Sequence, residues 1–192
     1  AASDVYKRQE KHRSFKVDEE KGDKMRTTCQ TIDTRWGSEN HPHYSHGNTL
    51  PYTGVPFGMN YFLPQTTHDQ GAWFFNPNLP IFQGFRLTHQ PSPWIGDYAW
   101  CLITPITGEV TSSDLFRRQS SYSMKEALFQ PHYLRIFSER YQIQSELVPS
   151  RYGAVMRFRA PEKLTLCFHA AKELEDLTLT DQTCHFHILD QA

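Results

Sequence analysis

Apolar and polar residues alternate with period two through the second half of the chain. Tyr133-Leu134-Arg135-Ile136-Phe137, Tyr141 to Leu147, Ala154 to Arg159 and Leu164 to Phe168 all carry this pattern. It sends successive side chains to opposite faces and predicts four strands. Arg151-Tyr152-Gly153 and Ala160-Pro161-Glu162-Lys163 supply turns between them. Short, evenly spaced strands punctuated by turns predict a mainly β protein, an antiparallel β-sandwich. Residues 171–177 leave room for one short helical turn. A further strand-like run, His185 to Leu189, comes just before the last residue, Ala192, with no capping feature. The expectation is a truncated domain.

The first half differs. From Trp36 to Trp100 prolines and glycines recur every few residues, and strands show only in pieces such as Met59 to Leu63 and Phe82 to Leu87. Long loops rich in aromatic and polar side chains usually carry function, since ordering them costs entropy. The stretch HQPSPWIGDY, residues 89–98, is the extreme case. Pro91 and Pro93 exclude a helix and hold the preceding residues extended, leaving a stiff loop that bears Trp94 and Asp97.

Composition narrows the classes. A chain of 192 residues, 38% of them hydrophobic, is long enough for one domain with a real core. A net charge of -1 without a concentrated basic face argues against nucleic acid as a partner. No apolar run approaches the roughly 20 residues of a membrane-spanning helix, so no membrane partner is expected. The four cysteines lack metal-type spacing, and Cys167 and Cys184, in apolar strand-like settings, read as buried thiols.

Residues 1–24 stand apart, with thirteen of the 24 charged. They read either as a disordered, solvated tail or as a non-native leader. Asp4 to Gln9 can be encoded by a string resembling a transposon adaptor, and Lys21 to Met25 by a ribosome-binding sequence with a start codon. The expected domain is therefore 25–192. No secretory signal follows Met25, which favours a cytoplasmic location.

Candidate chemistry is sparse. His41-Pro42-His43 with His46, and His185-x-His187, raise a metal question, but no matching carboxylate or cysteine spacing accompanies them, and ordinary loop histidines are the better reading. Stoichiometric zinc, iron or manganese would revive a cupin-like metal protein. Ser45, Ser92 and Ser112 lie in no nucleophile elbow, and no phosphate-binding glycine loop occurs. The loop-half carboxylates are Asp33, Glu39, Asp69, Asp97, Glu109 and Asp114. Asp97 alone stands among aromatic residues, where it could accept sugar hydroxyl protons while Trp94 either packs on a pyranose face or fills the core.

Thr31-Ile32-Asp33-Thr34-Arg35-Trp36-Gly37, then Ser45 to Met59 with its Pro56-Phe57-Gly58-Met59, then Gln83 to His89 running into HQPSPWIGDY, resemble the opening of glycoside hydrolase family 92. The resemblance covers about residues 30–170 and implies calcium-dependent, exo-acting α-mannosidases. It implies an N-terminal β-sandwich domain that leans against an (α/α)₆ barrel, with a mannose pocket at their interface. The missing C-terminal barrel would be the domain's partner and a mannose-containing glycan the substrate. The barrel would carry the general acid, the base and most of the calcium shell, so no catalytic residue is expected in this chain and the fragment alone should be inactive. The implied reaction is inverting hydrolysis. By the same resemblance His46, Gly47, Asn48, Trp94 and Asp97 would line the pocket, with Trp94 stacking on sugar or aglycone and Gly47 permitting close backbone approach. The alternative is a free-standing carbohydrate-binding sandwich without catalysis. An isolated sandwich would expose the apolar face meant for the barrel, so aggregation is expected.

Overall fold

A computed structural model describes residues 28–39, 49–68, 74–89, 101–170 and 174–188. In chain order these form α1 (Thr28–Thr31), β1 (Tyr61–Gln65), β2 (Ile81–Phe82), β3 (Gly84–Thr88), β4 (Cys101–Thr107), α2 (Leu115–Arg118), β5 (Ser120–Ser121), β6 (Leu128–Gln130), β7 (Tyr133–Ser138), β8 (Ile143–Pro149), β9 (Ala154–Arg159), β10 (Leu164–Ala170), β11 (Leu174–Leu179) and β12 (Cys184–Ile188). Every strand pairing is antiparallel. The first sheet has the order β1-β3-β4-β10 and the second β6-β7-β8-β9, while β2 with β5 and β11 with β12 make two small ribbons. The helices are single turns; Asp114 caps α2 by accepting from the Phe116 amide at 2.9 Å.

Alternation governs which side chains meet. In the second sheet Phe129, Leu134 and Leu147 lie across from one another and share one face with Ile136. In the first sheet Phe62 faces Leu87, and Phe85 faces Ile103. Phe62 and Phe85 join Leu134, Ile136, Leu147 and Phe129 in one buried cluster, which makes the two sheets a sandwich. Each such side chain taken out of water is worth about 1.5–3 kcal/mol. Edge-on ring contacts, such as Phe82 on Phe85 at 5.0 Å, fix the packing.

Several expectations need correction. Residues 171–177 make no helical turn where described: Leu174–Leu179 is a strand paired with β12. Tyr141 and Gln142 belong to the turn after β7, where Gln142 takes a positive φ of 52°, and β8 begins at Ile143. Strand β1 begins at Tyr61, two residues later than the pattern suggested. Cys184, on the β11–β12 ribbon, is exposed and Cys167, on β10, only half-buried; the buried thiol is Cys101.

Prolines fall where the sheet tolerates them. Pro64 sits on β1, an edge strand, and Pro105 lies on β4 beyond the last residue that pairs with β3. Gly84 opens β3 with φ 144°, and a Cβ there would stand 2.6 Å from the Ile103 carbonyl oxygen and 2.8 Å from Thr104 Oγ1. Only glycine lets β3 lie so close to β4 in that backbone region. Gly84→Ala is expected to cost about 2–4 kcal/mol, a drop of roughly 5–15 °C in melting temperature for a domain of this size. Thermal unfolding followed by circular dichroism reads it, and an unchanged midpoint contradicts the close approach.

Candidate functional site

The face of the first sheet turned away from the sandwich core is polar yet buried. Strand register puts Leu63, Arg86 and Leu102 side by side on it, with Gln65, Thr88 and Thr104 on the same face. Gln65, Arg86, Thr88 and Thr104 are all buried. Taking a guanidinium out of water is costly unless hydrogen bonds and packing compensate. Arg86 donates to Gln65 Oε1 from Nε at 2.8 Å and Nη2 at 2.5 Å, and its guanidinium lies 4.5 Å from the Phe74 ring centre. The chain of amides continues: Gln65 Nε2 donates to Gln83 Oε1 at 2.8 Å, and Gln83 Nε2 lies 3.0 Å from His68 Nδ1 and 3.2 Å from Gln119 Oε1. Thr104 Oγ1 donates to the Gln83 carbonyl at 2.6 Å. His169, beside Leu102, has its pKa lowered by partial burial first and then by the positive charge of Arg86 and Arg118.

The expected pocket residues His46, Gly47, Asn48, Trp94 and Asp97 lie outside the described residues, as do His41, His43 and Asp69. What the structure supplies is the frame of their two loops. Segment 90–100 leaves after Thr88-His89 and returns at Cys101, whose backbone is paired with Leu87. Its two ends are therefore held on adjacent interior strands, one residue pair beyond Arg86 and Leu102. Segment 40–48 is closed by Thr49, which donates from its amide to the Gly37 carbonyl at 3.4 Å, while Gly37 takes φ 77°. Glu39, at its start, accepts from Asn78 Nδ2 at 3.1 Å.

Several described carboxylates are committed to structure. Asp33 takes three bonds from the Arg35 side chain at 2.6–3.1 Å and one from its amide at 2.9 Å. Burial alone would raise its pKa, but the hydrogen bonds to Arg35 overcome that and hold it below the usual range. Arg35 in turn lies 4.7 Å from the Phe129 ring centre and donates to the Met124 carbonyl at 2.8 Å, pinning the N-terminal segment to the second sheet. Asp114 is spent on capping, and Ser112 Oγ accepts from the Asp114 amide at 3.1 Å, a loop role rather than a nucleophile's. Glu146, on the outer face of the second sheet, accepts from Arg157 Nε at 2.7 Å, from Tyr133 Oη at 2.5 Å and from Arg159 Nη1 at 3.2 Å. These bonds, Arg157's first, pull its pKa down to about 2.

The pair His185 and His187 stack edge to face, 5.0 Å between ring centres, and His187 Nδ1 lies 3.2 Å from Asp176 Oδ2. Among the described residues no three or more His, Cys, Asp or Glu gather so as to hold a metal. They do not fit a calcium shell. Nor does any described helix have the length and apolarity to cross a membrane.

The buried polar row lies on β1, β3 and β4, and the last two of these bound segment 90–100, an arrangement that positions other groups rather than one that reacts. The sequence pattern of residues 31–188 matches the model of the glycosyl hydrolase family 92 N-terminal domain. The chain belongs to this family. Among solved structures, this family 92 N-terminal domain is similar to the family GH92 inverting mannosidase BT2199 of Bacteroides thetaiotaomicron, at 32% identity and a TM-score of 0.63, over 74% of this chain and 20% of that one. The GH92 α-mannosidase BT3965 of the same organism, at 22% identity and TM-score 0.57, covers 70% of this chain and 19% of its own. The GH92 glycosyl hydrolase ccman5, at 16% identity and TM-score 0.60, covers 75% and 21%. The latter two share the fold. The chain thus spans about a fifth of the length of these structures. No curated protein sequence matches it.

The Glu146 cluster generates a pH prediction. A carboxyl whose pKa falls from 4.5 to about 2 on folding adds stability that is fully present above pH 4.5 and is lost as pH falls towards 2. Melting temperature should therefore fall more steeply between pH 5 and pH 2 in the native protein than in Glu146→Gln. Equal slopes would show that the cluster contributes nothing.

Proposed function

We propose that this chain is the N-terminal β-sandwich domain of an inverting, calcium-dependent α-mannosidase, and that it lends one wall to a mannose pocket completed by the rest of the enzyme. The reading is carried by the family match over residues 31–188, supported by 32% identity to an inverting mannosidase. Inversion needs an acid that protonates the leaving oxygen and a carboxylate that activates water on the opposite sugar face, about 6.5–9.5 Å apart. Asp33 and Glu146 are neutralised by arginines, and Glu39 and Asp114 hold loop backbone and side chains. We place the acid, the base and the calcium ligands in the remainder of the enzyme, as the family resemblance implies.

This domain's own part is to bind and orient. Trp94 presents an apolar ring to the pyranose C–H face, and Asp97 accepts from hydroxyls. His46, Gly47 and Asn48 complete the same wall. The loops serve because their ends are fixed on paired backbone, at Leu87 with Cys101 and at Gly37 with Thr49. Arg86 and Gln65 act beneath them as positioning residues.

The test is hydrolysis of an aryl α-mannoside by the full-length protein, with the product anomer followed by proton NMR. The β-anomer should appear first, and chelation should abolish turnover until calcium is restored. Trp94→Ala should lower kcat/KM about ten- to hundredfold, the scale of losing one large aromatic contact of about 1.5–3 kcal/mol. Full activity in that variant would reduce the loop to packing between domains, and no α-mannoside hydrolysis by the unmutated protein would end the reading.

A further inference from the structure

Helix α2 reaches the polar row of the first sheet through its C-terminal end. Gln119, its C-cap, accepts at Oε1 from Gln83 Nε2 at 3.2 Å, and Tyr141 Oη donates to the Arg118 carbonyl at 3.0 Å. The Arg118 side chain goes inward, and the residue is only 8% exposed. Its described bond runs from Nη2 to the Ser113 carbonyl at 3.2 Å. Its Nε is buried with no hydrogen-bond partner.

A guanidinium taken out of water ordinarily meets a carboxylate or several carbonyls. Helix α2 brings Arg118 no acid, because Asp114 caps the helix and pairs with Arg117 at 3.7 Å. No described carboxylate accepts from Arg118. The sheet opposite is basic instead. Register puts Arg86, Leu102 and His169 in one row across β3, β4 and β10, and Thr104 beside Cys167 in a neighbouring row. His169 stands at the open rim of this cluster. Partial burial, and then the positive charges of Arg86, Arg118 and His68, hold its pKa down. Every charge that acts on His169 there is thus of one sign. Donors gathered in this way suit an anion, which satisfies Nε and relieves the repulsion between the cations.

We propose that Arg118 and His169 bind a small free oxyanion, of the size of phosphate or sulfate, between α2 and β10, with Arg118 Nε as the inner contact and His169 at the mouth. The planar fork of an arginine matches two oxygens of a tetrahedral ion. The depth of Arg118 selects a free ion, since a phosphate carried on a sugar cannot follow it inward with its whole body. Nothing in this chemistry requires a mannoside. The bound ion ties α2 to β10 and braces the face that buries Arg86.

Isothermal titration calorimetry of the full-length protein with sodium phosphate and sodium sulfate, against sodium chloride at equal ionic strength, tests it. A tetrahedral ion should bind once per chain in the millimolar range or tighter, and chloride should not compete. Peptides covering 113–119 and 165–170 should exchange their amide hydrogens more slowly in phosphate than in chloride. Arg118→Gln should weaken binding about tenfold or more, and Arg118→Lys less, since lysine keeps the charge and loses the fork. His169→Gln, at an exposed position, should weaken binding about threefold, the scale of one lost hydrogen bond, and it decides the matter if Arg118→Gln fails to fold. No binding beyond that of chloride overturns the proposal. Affinity unchanged in the variants that fold also overturns it, because the ion then sits elsewhere. A sugar monophosphate that binds as tightly as the free ion overturns the assignment of a small, deeply held anion.

Discussion

Strand β3 has to satisfy opposite chemistries on its two faces, and the rest of the fold is arranged around that demand. On one face Phe85 joins Phe62 and the leucines and isoleucine of the second sheet. On the other, one residue later, Arg86 is buried with its guanidinium on Gln65 and against Phe74. A buried guanidinium tolerates little displacement, because moving it breaks charge-assisted bonds that nothing else replaces. The network therefore fixes β1 against β3, and Gly84 lets β3 lie tightly on β4. With those three strands set, the ends of segment 90–100 are set as well. The same logic holds segment 40–48, through Gly37 and Thr49 and the Asp33–Arg35 clasp just before them.

This organisation divides the charged residues into those that build and those left for function. Asp33 and Glu146 pair with arginines, Asp114 caps a helix turn and Glu39 holds a loop, while the arginines bond carbonyls, carboxylates and aromatic faces. A domain whose charges are spent in this way is a scaffold. Its value to an enzyme lies in presenting loops at fixed positions, which is consistent with a chain that spans about a fifth of its solved relatives. A groove between β9 and β10 and the polar face of β3 lie on opposite sides of the first sheet.

Legibility from sequence followed the physics of each segment. Strands β7 and β9 were readable because each shows one face to a core and the other to solvent, so polarity alternates. Strand β4 was not, because Cys101, Leu102, Thr104 and Ile106 are buried on both faces and Pro105 interrupts the run. The Gln83-Gly84-Phe85-Arg86-Leu87-Thr88 stretch was noticed as a piece of strand, yet its deeper signal lay in Gln83, Arg86 and Thr88 being polar where a strand is flanked by apolar residues. No local rule says that an arginine there will be buried; that depends on Gln65 and Phe74, far along the chain. The exposure of Cys184, on the β11–β12 ribbon, was likewise invisible to local pattern. The pocket residues His46, Gly47, Asn48, Trp94 and Asp97 came from family resemblance rather than from periodicity, and only the backbone that holds their loops bears on them here.

The most direct measurement is a crystal structure of the full-length protein with a mannose-configured inhibitor bound. The account predicts a sugar ring in contact with the loop that leaves Thr88 and returns at Cys101, on the side of the sheet that buries Arg86. A sugar lodged between β9 and β10, or held wholly by the remainder of the chain with Trp94 and Asp97 out of reach, would contradict it.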